Sequence, residues 1–150
     1  MDNFLVQLNV LSDMLGKKKA LLERISAITE NQENILLSPY AESDEGAMLF
    51  SGLNEEKHKL IELVLQADDL FQNLFDSIKE EFEARAQDFK EEIRTLKNEI
   101  KEVVELDAKI RIREEKNRML LEKLKPKNKP EISGTSKAYV LKQYQKNKIP

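Results

Sequence analysis

A chain of 150 residues, 35% charged and 40% hydrophobic, with a net charge of −3, is long enough for one domain with a core of moderate size. Its four Gly, four Pro and absence of Cys exclude disulfides, thiolate metal sites and a cysteine nucleophile, and favour long helices or coiled coil over sheet. The charge is uneven: residues 125–150 hold seven Lys and one Glu, a net of +6, which leaves −9 on residues 1–124. An acidic body repels phosphate backbones and argues against nucleic acid as a partner.

The start Met1-Asp2-Asn3 is not the basic opening of a signal peptide. The longest charge-free run, Asn3 to Ser12, is too short to span a membrane. The expectation is a cytoplasmic protein without membrane insertion. The first segment, Asp2 to Leu37, spaces Phe4, Leu8, Leu11, Leu15, Leu22, Ile25, Ile28, Ile35 and Leu36 in steps of mostly three and four. That pattern makes one broad helical stripe. Lys17, Lys18 and Lys19 fit a wet face, and Gly16 weakens the helix by about 1 kcal/mol relative to Ala without ending it. Ser38-Pro39 ends it, because the residue before proline resists the α region.

A linker is expected from Ser38 to Asn54, with Pro39, Gly46, Gly52 and the acids Glu42, Asp44 and Glu45. Its apolar run Ala47-Met48-Leu49-Phe50 reads as a helical turn over the end of the bundle, with an exposed patch as the alternative. Leu53 to Lys125 holds neither Gly nor Pro over 73 residues. Asn54 followed by Glu55 and Glu56 predicts the helix start. From Phe89 the apolar spacing alternates four and three, a heptad pattern that ends at Leu124. Pairs such as Glu55/Lys59, Glu81/Arg85 and Glu114/Arg118 add a few tenths of a kcal/mol each to a helix. One helix of that length would reach about 110 Å. It either projects as a rod with the first helix alongside, the favoured geometry, or folds back near Asp76 to Gln87, where Ser77-Ile78-Lys79-Glu80 matches a capping box.

The fold class expected is therefore all-α: long antiparallel helices in a coiled-coil hairpin or three-helix bundle over residues 1–125. Residues 126–150 form a flexible basic tail, in which Ser136 to Tyr144 can make two turns of amphipathic helix.

No catalytic constellation is present in the sequence. His58 is the sole histidine and reads as a solvated helix position. The adjacent pairs Asp68-Asp69, Glu80-Glu81, Glu91-Glu92 and Glu114-Glu115 diverge by about 100° on a helix and read as solvated surface. There is no phosphate loop, nucleophile elbow or metal motif, so the expectation is a non-enzyme without cofactor or metal. Two features point to a protein partner. Asp107, Glu114 and Asn117 interrupt the seam of the last segment, and Leu106, Ile112, Met119 and Leu120 lie off its single stripe. The predicted client-binding surface is Leu106, Ile110, Ile112, Asn117, Met119, Leu120, Leu121 and Leu124. The competing reading is a self-associating structural coiled coil, a homo-oligomer built through the Phe89 to Leu124 heptads.

The chain resembles the bacterial flagellar export chaperones of the FlgN-like type. The residues that carry the likeness are Leu8-x-x-Leu11 with Lys17-Lys18-Lys19-Ala20-Leu21-Leu22-x-x-Ile25, then Lys57-x-Lys59-Leu60-Ile61-x-x-Val64 with Asp68-Asp69-x-Phe71. Glu114-Glu115-x-Asn117-x-x-Leu120-Leu121 and the Lys-rich, Tyr-bearing tail complete it. The resemblance implies a small cytoplasmic chaperone that holds helical segments of hook–filament junction proteins and delivers them to the flagellar export apparatus. A tail tyrosine takes part in docking at the export gate, which points to Tyr139 or Tyr144 with Val140 and Leu141.

Overall fold

Three helices account for almost all of the chain from residue 2 to residue 124, the residues described by this computed structural model. Helix α1 runs Asn3–Leu37, α2 Asp44–Arg85 and α3 Lys90–Glu122, with a four-residue 3-10 turn, Pro39–Glu42, between the first two. The basic tail, including Tyr139, Val140, Leu141 and Tyr144, lies outside the described residues.

Asp2 starts α1 by accepting the Phe4 N–H at 2.9 Å, which satisfies one of the free donors of the first turn. Ser38 ends it: its hydroxyl donates to the Ile35 carbonyl at 2.7 Å and accepts from the Tyr40 N–H. Ser43 repeats the device at the other side of the 3-10 turn, donating to the Tyr40 carbonyl and accepting the Gly46 N–H at 3.0 Å. Two serines therefore close one helix and open the next within six positions.

This corner corrects the linker predicted for residues 38–54. Helix α2 begins at Asp44, not at Asn54, because Ser43 caps it and Asp44 and Glu45 sit on the positive end of its dipole. Gly46 is required for tightness: a Cβ there would lie 2.0 Å from the Tyr40 carbonyl oxygen. Gly52, where a Cβ would meet nothing within 4 Å, is simply carried inside the helix.

A second correction concerns the long segment, which is not one rod. The chain reverses over residues 86–89, with the Asp88 N–H on the Arg85 carbonyl at 3.1 Å. The capping box at Ser77 is unused, and the Ser77 hydroxyl bonds back to the Leu74 carbonyl inside α2. No side chain caps α3 either, and Phe89 leaves helical geometry at φ −127°, ψ 37°. The cause is tertiary. Phe89 packs edge-on to Phe4 at 5.3 Å, and the Arg85 guanidinium lies over both rings at 4.9 and 5.5 Å. Folding back lets α3 bury its stripe on α1, which a rod could not do.

Pairings fix the directions. Asp2 meets Arg85, Lys18 meets Asp68 and Gln32 meets Lys57, so α2 runs opposite to α1. Ser12 meets Glu99, Thr29 meets Glu114 and Glu33 meets Lys116, so α3 runs with α1. Helix α1 packs closely along both partners, whereas α2 and α3 approach each other sparsely. Phe4, Leu11, Leu22 and Ile25 of α1 are wholly buried, and Ile61, Phe71, Leu96, Val103 and Ile110 close over them. Each such side chain contributes about 1.5–3 kcal/mol by burial. A smaller cluster of Leu36, Phe50 and Leu121 seals the end near the 3-10 turn.

Candidate protein-binding surface

From the level of Lys18, midway along the bundle, to that of Gln32, towards the α1–α2 corner, the interior holds charge that the sequence pattern assigned to solvent. Lys18 is buried and pairs with Asp68 at 2.6 Å, which corrects both the wet-face reading of the lysine run and the solvated reading of Asp68. Burial pushes the Asp68 carboxyl above its ordinary range, opposed by the Lys18 ammonium. Lys57, also buried, donates to Gln32 Oε1 and Glu114 Oε1, each at 2.5 Å. Burial draws its ammonium below the ordinary lysine range, and the Glu114 carboxylate works the other way. The single Thr29 hydroxyl proton is shared between the Ile25 carbonyl at 2.8 Å and the Glu114 carboxylate at 3.1 Å, and the Asn117 amide donates to the Thr29 carbonyl at 3.0 Å. Glu114 is thus held from α1 and α2 and the Asn117 amide N–H from α1, while the Asn117 Oδ1 is buried without a hydrogen-bond partner; the sequence reading had both residues open to a partner helix.

The predicted client-binding residues divide in two. Ile110, Asn117 and Leu121 are buried in the bundle, and Leu106 packs half-buried against its core. Leu120 and Leu124 pack on the Leu36–Phe50–Leu121 cluster. Ile112 at 72% and Met119 at 50% exposure are left on the outside of α3, seven positions apart. Val104 shares that helix's exposed set. Those side chains, not the whole predicted group, are available to another protein in this state.

Sequence reasoning missed most of a comparable set on α2, of which it had weighed only Leu49, in the run whose alternative reading was an exposed patch. Leu49, Leu63 and Leu70 are exposed there, separated by multiples of seven residues and offset from the buried line of Leu60, Val64 and Phe71. The signal was present as a second apolar line, which the dominant core stripe obscured. On α1, Val6 and Val10 are likewise at the surface, one turn apart.

Where α2 and α3 part, an apolar cavity of about 150 Å³ opens between Phe71, Phe75 and Phe82 on one side and Leu96 and Ile100 on the other. It is large enough for one apolar side chain or ring. Among the described residues no helix is long and apolar enough to cross a membrane, and no group of three or more His, Cys, Asp or Glu is arranged to hold a metal ion. His58 sits on α2 with Nε2 3.4 Å from the Glu62 carboxylate. Comparison with protein-family models, with characterised proteins and with solved structures yields no match to this chain.

Proposed function

We propose that this protein is a binding module without catalytic activity: a cytoplasmic export chaperone of the FlgN-like kind, which takes helical segments of hook–filament junction proteins onto its surface and delivers them to the flagellar export gate. The observation that carries the reading is the apolar surface left over after the bundle has closed, with Ile112 and Met119 on α3 and Leu63 and Leu70 on α2. A client helix that later forms part of a filament carries an apolar stripe. Laying that stripe on a second helical surface shields it until delivery. Affinity is set by a few anchor side chains, and the ordering of the client keeps it moderate enough for release. The likeness quoted from the sequence supplies the client class, and the acidic body is in keeping with a partner that is not nucleic acid.

Calorimetry against the C-terminal helical segments of hook–filament junction proteins tests the proposal. Binding in the range of about 1–100 μM is expected, and Ile112→Asp with Met119→Asp should abolish it while leaving the fold intact. Silence at the upper end of that range would end the chaperone reading. The alternative, a self-associating coiled coil, no longer has the Phe89 to Leu124 heptads at its disposal, because Ile93, Leu96, Val103, Ile110 and Leu121 are buried inside the monomer. It would have to use the Leu49, Leu63 and Leu70 line of α2. Sedimentation equilibrium separates the two, since that reading requires a dimer that Leu63→Asp dissolves.

A further inference from the structure

The corner between α1 and α2 exposes four large apolar side chains close together in the chain: Leu37, Tyr40, Met48 at 75% exposure and Leu49. Directly inside them, Leu36 and Phe50 pack with Leu121, and Leu120 and Leu124 join that cluster. The patch therefore lies at the same end of the bundle as the last residues of α3, where the chain continues at Lys125. Its rim is acidic and exposed, formed by Glu42, Asp44 and Glu45.

We propose that residues Lys137 to Tyr144 of this same chain dock on the Leu37–Tyr40–Met48–Leu49 patch. Three observations select that occupant. The first is reach: residues 125–136 form a tether that spans about 40 Å when extended, several helix radii beyond the end of α3. The second is pattern: Ala138-Tyr139-Val140-Leu141 and Tyr144 offer an apolar surface of matching size, and Lys137 and Lys142 flank it as the acids flank the patch. The third is charge: the segment 125–150 carries +6 against −9 on the body. A second copy placed on the patch through its own corner would bring acidic rim against acidic rim, which is unfavourable. Tethering also raises the local concentration of the segment to about the millimolar range, so a weak contact suffices.

If the chaperone reading also holds, docking shields the tyrosines assigned to the export gate until a competitor displaces them. The docking itself does not depend on that reading. The lack of cysteine makes the full-length chain suited to a single-label test. A nitroxide is attached at Gln145→Cys, just beyond the docking segment, and the Met48 and Met14 methyl groups are observed by carbon-13 NMR. Met14 lies about 35 Å from Leu37 along α1 and serves as the distant reference and as the marker of an intact fold. The expected result is loss of the Met48 signal with Met14 retained, and recovery of Met48 when the nitroxide is reduced. Adding Asp44→Asn and Glu45→Gln should restore most of the Met48 intensity with Met14 unmoved, as should about 1 M salt, which shortens the screening length to about 3 Å. Equal broadening of the two methyls, or none at Met48, overturns the proposal. So does broadening of Met48 that persists when spin-labelled, unenriched chain is mixed with unlabelled, enriched chain, which would assign the patch to the tail of a second copy. None of these readouts requires a client, so their failure is distinct from a failure of client binding.

Discussion

The aromatic end of the bundle and its polar middle solve the same packing problem by opposite means. At the end, Phe4, Phe75, Phe82 and Phe89 stack in edge-on contacts of 5.3 to 6.3 Å, with Arg85 laid over the rings. In the polar stretch that runs from the middle towards the α1–α2 corner, Lys57, Gln32, Glu114, Thr29 and Asn117 exchange hydrogen bonds among all three helices. Aromatic packing is strong but tolerant of small shifts in register. A buried polar network tolerates none, because each misplaced partner leaves an unsatisfied group in low dielectric. The attraction between the helices comes from an apolar core that is aromatic at this end and aliphatic along the rest, whereas the polar network restricts which residues can face one another.

The largest effect should come from Phe4→Ala, since Phe4 is wholly buried and touches both sides of the chain reversal. A loss of about 3–5 kcal/mol in denaturant unfolding is expected, with amide exchange accelerated most around residues 86–89. A loss under about 1 kcal/mol would move the anchor elsewhere. In the middle, Lys57→Met removes one charge and strands Glu114, at a cost of about 3 kcal/mol, the low end for a broken buried pair because Glu114 keeps some contact with water. Lys57→Met with Glu114→Leu should regain most of that stability, as buried pairs replaced by apolar side chains commonly do. The double variant should also show broadened amide resonances along α2 and α3, the mark of relaxed alignment. A double variant as unstable as the single one would shift the burden to Gln32 and Thr29.

These regions were not equally legible in the sequence. The helix-period stripe located α1, its end at Ser38-Pro39 and most of the core, because Leu8, Leu11, Leu15, Leu22 and Ile25 keep helical spacing, broken only where Lys18 takes the place of an apolar residue. The reversal at 86–89 was legible only as the less favoured alternative, a fold-back near Asp76 to Gln87, because neither Gly, Pro nor a capping side chain marks it. It arises from Phe4, distant in sequence, and local pattern cannot report such a contact. The buried charges were missed for a related reason. A lysine run and an Asp-Asp pair look solvated one at a time, and only the crossing of two helices joins Lys18 to Asp68. The exposed apolar surface was half legible: apolar positions off the main stripe marked Ile112 and Met119 on α3, but the same signal at Leu63 and Leu70 on α2 passed unread.

A third region, the α1–α2 corner, relies on backbone proximity and sharpens the contrast with a smaller expected effect. Gly46→Ala forces a methyl group onto the Tyr40 carbonyl, which is backbone and cannot swing aside. A loss of about 1–3 kcal/mol is expected, from overpacking, whereas Gly52→Ala should stabilise by about 0.5–1 kcal/mol because its site is open and helical. Thermal melts of the two variants should therefore shift in opposite directions.

The smallest effect, and the one that sets end against middle most directly, is the response to acid. Arg85 holds the Asp2 carboxyl below its ordinary value of 3.8, and burial holds Asp68 above it. For Asp2 the folded state binds its proton less readily than the unfolded state, so its contribution is present above pH 3.8 and is lost as pH falls through the lowered folded value. For Asp68 the sign is reversed. Ionisation costs stability as pH rises from 3.8 through the raised folded value, so acid relieves the polar middle before it loosens the aromatic end. The two contributions oppose each other in a global melt, and residue-resolved carboxyl NMR is needed to separate them. Asp68 should titrate first as pH falls and Asp2 last, with exchange of the Phe4 amide, which donates to Asp2, accelerating only in the second step. The reverse order would mean that the Lys18 ammonium outweighs burial at Asp68, and that the middle of the bundle is held by its charges rather than in spite of them.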